Sequence, residues 1–109
     1  AMAGGSPKQS FDAAAIALKS VMGLVCDPVA GLVEIPCAKR NAMGAVQALA
    51  AADMALARIE SKIPFDEVLE AAVSVGRMMP EALRETSNGG LAVTPTALRM
   101  REHVFGEEA

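Results

Sequence analysis

Apolar positions along the chain fall at three- and four-residue intervals, the period of a helix that buries one face, and no stretch shows the strict alternation of a half-buried strand. The first such stretch opens at Ser6-Pro7-Lys8-Gln9, where Ser6 suits an N-cap, Pro7 the first helical position and Gln9 the return bond of a capping box. Phe11, Ala14, Ala15, Leu18, Val21 and Met22 continue the stripe and Gly23 can end it, so a helix is predicted over residues 7–22. Pro28, Gly31 and Pro36 then exclude a long helix across 23–37. A second helix is predicted over 38–59. It is Ala-rich, with Asp53 as the one charge between Asn41 and Arg58, which points to burial on more than one face and a central position.

Pro64 opens a third helical stretch, with Asp66 and Glu67 in the first turn, where carboxylates suit the positive end of the helix dipole. Its apolar face reads Val68, Leu69, Ala72, Val75, Met78 and Met79. Pro80 breaks the pattern before a short helical piece over 81–85, and Thr86-Ser87-Asn88-Gly89-Gly90 reads as a turn. Thr94-Pro95 repeats the capped start and opens a last helix over 95–105. The predicted fold is a compact all-α domain of about four helices, with a loop between the first two that carries both cysteines of the chain, Cys26 and Cys37.

Composition changes this picture in one respect. The 109 residues are 52% apolar but only 3% aromatic, so the core must be assembled from many small contacts or completed by a partner surface. A net charge of −3 and the absence of Trp and Tyr leave neither a broad positive field nor a stacking series, which argues against nucleic-acid binding. The longest weakly charged run, 41–57, is too short for a bilayer span, and the opening residues lack the basic and apolar regions of a secretory signal.

The candidate chemistry centres on the proline- and glycine-shaped loop. Cys26 and Cys37 can be buried small apolar groups, a disulfide or metal ligands. Cys37 directly precedes the predicted second helix, whose free N–H groups favour a thiolate. Zinc and iron-sulfur sites both call for more ligands than two cysteines and His103 provide. Lys39 and Arg40 put cations where the dipole opposes them, which suggests a nearby anion, and Asn41 adds an amide. Glu34 and Asp27 are candidate acid or base groups whose simpler reading is a solvated loop carboxylate. Asp53 reads as a structural or partner-facing charge, His103 as an exposed residue at a helix end, Gly89-Gly90 as a turn and the methionines as core filler.

Taken together, GLVCDPVAGLVEIPCAKRNAMGAV (23–46), AADMAL, PFDEV, GRMMPEALRET and GGLAVTPT resemble the C-terminal part of the alpha chain of bacterial iron-sulfur L-serine dehydratases, over nearly the whole length. The resemblance implies a cytoplasmic lyase that converts L-serine to pyruvate and ammonia with a 4Fe-4S cluster in place of pyridoxal phosphate. It implies that Cys26 and Cys37 are two of three cysteine ligands, the third lying upstream. It also implies an open iron that acts as a Lewis acid on the serine hydroxyl while a base, not identified in this chain, takes the α-proton. Lys39, Arg40 and Asn41 are the local candidates for holding the substrate carboxylate. The ending Phe105 to Ala109 lacks the terminal cysteine of single-chain relatives and resembles the two-subunit type, so the expected partners are the rest of the alpha chain and a beta chain, in an oligomer. The alternative is a helical assembly module with structural cysteines and no activity of its own.

Overall fold

The computed structural model describes residues 2–32 and 34–105, so Ala1, Val33 and the ending 106–109 lie outside the described residues. Four α-helices follow one another: α1 (Pro7–Lys19), α2 (Cys37–Leu56), α3 (Phe65–Met78) and α4 (Pro95–Phe105). Two single 3-10 turns, Glu81–Leu83 and Gly90–Val93, precede the last. Among the described residues there is no strand, only isolated bridges, and no helix is long and apolar enough to cross a membrane. The all-α expectation and the loop between the first two helices are both met. The chain divides into two units, one of residues 1–23 and 43–78, the other of 24–42 and 79–109.

In the first unit, α1 begins as its sequence dictates. The Ser6 hydroxyl accepts from Gln9 N–H at 3.1 Å, and the Gln9 side chain accepts from Ser6 N–H at 2.8 Å. The helix ends at Lys19, three residues earlier than expected, because Ser20 caps it and Val21 N–H turns back to the Leu18 carbonyl. α1 packs against α3, with Ala15, Ile16 and Val68 buried and the Phe11 and Phe65 rings 6.3 Å apart. The 57–64 connection is tied to α1 through Ser61, which is 2% exposed. Its N–H donates to Asp12 at 3.2 Å, its carbonyl accepts from Lys19 at 2.7 Å and its hydroxyl donates to the Ile63 carbonyl.

The Asp12 carboxyl is held below its ordinary value, first by the hydrogen bond from the Lys8 ammonium and then by Ser61 N–H. Because the folded value is the lower one, this stabilisation is complete above the unfolded value of about 3.9 and is lost as pH falls through the folded value. The difference in Tm between the natural chain and Asp12→Asn is therefore expected to be widest above about pH 5 and to close in more acidic solution. A difference that stays constant over this range would contradict the assignment.

α2 corrects three expectations. It starts at Cys37 and stops at Leu56 rather than running over 38–59. Ile59 N–H bonds to the Met54 carbonyl and Arg58 N–H to the Ala55 carbonyl, with Arg58 at φ 67°, a Schellman ending in which arginine occupies the left-handed position usual for glycine. The helix is also not buried on several faces. Only Ala51 and Ala55 are buried, while Met43, Val46 and Leu49 remain 65–71% exposed. Alanines form a narrow stripe that approaches closely but covers little. In the same way Leu69 and Met78 of α3 are exposed, and of the methionines only Met79 is even half-buried, so the core-filler expectation is not met among the described residues.

The second unit has a small core of Val29, Ala30 and Ala97, with Ile35 against it. α4 matches its predicted bounds, and Thr94 is its N-cap, accepting from Ala97 N–H at 3.3 Å. The predicted helical piece over 81–85 shrinks to the 3-10 turn Glu81–Leu83. Glu85 and Ser87 then take left-handed φ of 68° and 58°, which redirects the chain toward the cysteine loop.

Candidate metal centre

Cys26 lies in an extended segment and Cys37 at the first turn of α2. Both are free and half-buried, and the two thiols lie near enough for Cys37 to act on the Cys26 thiol. Burial, and after it the proximity of Cys37 and Glu85, pushes the Cys26 thiol above its ordinary value. A soft metal centre, if bound by these thiols, would reverse that effect by favouring the thiolate over the protonated form.

The Cys26 backbone is fixed on both sides. Its N–H donates to the Leu83 carbonyl at 3.0 Å, its carbonyl accepts from Glu85 N–H at 2.8 Å, and it forms a bridge with Arg84. Just beyond, the Ser87 hydroxyl donates to the Pro28 carbonyl at 2.7 Å. The turn read at 86–90 is thus the wall of the cysteine loop. Sequence reasoning gave residues 83–88 no such role, since nothing local marks a segment whose partners lie about sixty positions away.

Asp27 departs furthest from expectation. It is 1% exposed rather than solvated. Its Oδ1 accepts from Arg40 Nη1 and its Oδ2 from Leu91 N–H at 2.6 Å. Burial pushes its carboxyl up, but the Arg40 and Leu91 hydrogen bonds overcome this and hold it below the ordinary carboxylate value. Gly90 makes the approach possible: at φ 62° its position favours glycine, and a Cβ there would overlap the Asp27 carboxylate. The double glycine was the available signal for this close approach. Gly89 is equally confined, since its Cβ would stand 2.9 Å from the Ala82 carbonyl oxygen.

In the basic turn, Arg40 Nη1 donates to the Val25 carbonyl at 3.0 Å as well as to Asp27, so the Asp27 carboxylate is one anion that offsets its position at the helix start. The Asn41 amide donates to the Cys37 carbonyl at 2.8 Å, and Lys39 is exposed. Glu34 is exposed near the loop apex, and Asp53 is exposed on α2. His103 is exposed in the last turn of α4, where it borders an apolar cavity of about 330 Å³ with Val29, Ile35 and Arg99.

The donor set fits part of an iron-sulfur site: two thiols side by side, with a buried ion pair next to them. Among the described residues no group of three or more His, Cys, Asp or Glu side chains could hold a metal ion, so a cluster bound by these two thiols would need ligands besides them.

The family described as serine dehydratase alpha chain matches residues 1–92. A probable L-serine dehydratase alpha chain of Bacillus subtilis is 63% identical over 96% of this chain and 35% of its own length. One from Latilactobacillus sakei is 56% identical over 97% of this chain and 51% of its own. The L-serine dehydratase alpha chain of Peptoniphilus asaccharolyticus is 51% identical over 97% and 36%. The chain therefore spans between a third and a half of the length of these relatives. A match that runs through the cysteine loop, α2 and the wall of the loop leaves no doubt of kinship: the chain belongs to the serine dehydratase alpha-chain family.

Proposed function

We propose that these residues form the C-terminal part of the catalytic alpha chain of an iron-sulfur L-serine dehydratase, which deaminates L-serine to pyruvate and ammonia without pyridoxal phosphate in the cytoplasm. The observation that carries this reading is the paired, free and half-buried thiols of Cys26 and Cys37 in a chain of this family. The two cysteines are two of the ligands of a 4Fe-4S cluster, and a third comes from the rest of the alpha chain. When bound, such a cluster supplies a Lewis acid for the hydroxyl that leaves.

This chain's own residues hold and shape the site. The bonds from Leu83, Glu85 and Ser87 fix the Cys26 segment, and the basic turn supplies positive charge for the substrate carboxylate. Of Lys39, Arg40 and Asn41, Lys39 offers an exposed ammonium, while the Arg40 and Asn41 donors described above already have partners within the chain. The base that takes the α-proton lies outside the residues assigned here. Met43, Val46 and Leu49 of α2 and Leu69 and Val73 of α3, all exposed, favour a place inside a larger assembly, with the rest of the alpha chain and a beta chain as partners in an oligomer.

The test is anaerobic purification of the complete alpha chain with its beta chain, followed by iron and sulfide analysis, visible absorption and pyruvate formation from serine. Cluster absorption is expected, together with loss of activity in air and its return with ferrous iron and a thiol. Activity that is indifferent to iron but abolished by carbonyl reagents would overturn the reading.

A further inference from the structure

Arg40 brackets Cys26. Through one nitrogen it grips the carbonyl of the residue before the cysteine, Val25, and the carboxylate of the residue after it, Asp27. Arg40 itself stands one helical turn beyond Cys37, on the same side of α2. The Asp27–Arg40 ion pair therefore ties together the same two segments that carry Cys26 and Cys37. This tie is firmly anchored, because Asp27 is also held by Leu91 N–H and its side chain is 2% exposed. A buried carboxylate next to two thiolates would ordinarily repel them, and the guanidinium removes that objection while adding direction.

We propose that Asp27 is a positioning residue: locked by Arg40 and the Leu91 N–H, its carboxylate sets the Cys26 segment against the first turn of α2, so that both thiols are presented together before any cluster is bound. What the thiols then bind rests on the function proposed for the chain; the presentation itself does not.

The test uses the complete alpha chain with its beta chain, stripped of iron under anaerobic conditions and treated in the native state with dibromobimane, a short reagent that bridges neighbouring thiols. Both cysteines fall in one tryptic peptide, Ser20–Lys39, so the bridged and the twice singly modified forms are separable by mass. In Asp27→Asn, which keeps the shape of the side chain, the bridged fraction is expected to fall about tenfold as proximity is lost. Arg40→Gln is expected to show the same fall and the double variant no further one, with helical circular dichroism unchanged.

Val68→Ala, which loosens the buried contact of α3, lowers stability without touching this pair and is expected to leave bridging at the natural level. A fall there equal to that in Asp27→Asn would reduce Asp27 to a merely structural role. Natural bridging in both single variants, or falls that multiply in the double, would overturn the proposal. If Asp27→Asn fails to fold, Arg40→Lys decides the matter from a side chain that is 34% exposed: reduced bridging supports the tie and natural bridging overturns it. Reduced bridging in a protein whose natural form never takes up iron would leave this proposal standing and sink the iron-sulfur reading instead.

Discussion

Cys37→Ser in the complete alpha chain, assembled with its beta chain, is expected to lose serine deamination by more than about a hundredfold and to hold little iron, while its Tm stays close to that of the natural protein. A hundredfold is the upper end of what the loss of an outer partner of a metal ligand costs, and here a ligand itself is removed. A hydroxyl is nearly the same size as a thiol, but it is a harder donor and does not ionise near neutral pH, so it replaces thiolate poorly on iron. The fold has little to lose. Cys37 opens α2 and is half-buried, and serine is well accepted at a helix start. Cys26→Ser is expected to behave alike in iron content and activity. Its backbone bonds to Leu83 and Glu85 do not depend on the side chain. Separating activity from stability in this way is what distinguishes ligands from buried apolar groups. Full activity with normal iron in either variant would remove that cysteine from the site.

What could be read from the sequence is what is local. The Ser6 capping box, the Thr94-Pro95 start and the proline-broken loop each depend on residues close to one another in the chain, and each stands in the structure as expected. The ends of α1 and α2 were less legible, because the chain stops these helices with Ser20 and a left-handed Arg58 rather than at the glycine that usually gives the signal. The burial of α2 was misread for a different reason. An alanine-rich helix has the composition of a core element, yet burial depends on what stands opposite, and among the described residues little covers Met43, Val46 or Leu49.

The site shows the same limit. Spacing and neighbouring prolines singled out Cys26, Cys37 and the basic turn, but Asp27 read as a solvated carboxylate because its partners are thirteen and sixty-four positions away. The oddity of cations at a helix start was a sound clue. It called for an anion, and for Arg40 the structure supplies one in Asp27, the residue directly after the first cysteine.

Gly90→Ala is expected to produce the largest loss of stability of any single methyl addition in the loop region, on the order of 3 kcal/mol, together with loss of iron from the assembled enzyme. Two costs combine. The left-handed φ of 62° disfavours any side chain by about 1–2 kcal/mol. The new Cβ would also overlap the Asp27 carboxylate, which must then give up its bond to Leu91 N–H or swing away from Arg40, and a hydrogen bond to a charged group contributes about 1.5–3 kcal/mol. Gly31→Ala separates the two. Gly31 has a similar φ of 73°, but an added Cβ would meet nothing within 4 Å, so only the backbone cost applies. The difference between the two variants in denaturant midpoint therefore isolates the crowding of Asp27. If Gly90→Ala costs no more than Gly31→Ala, the carboxylate can relax freely and the close packing of residue 90 on Asp27 matters little. If it costs more and Gly90→Ala also loses iron while Gly31→Ala keeps it, the buried ion pair and the thiol pair are mechanically one unit, because a methyl group that touches neither cysteine has disturbed both.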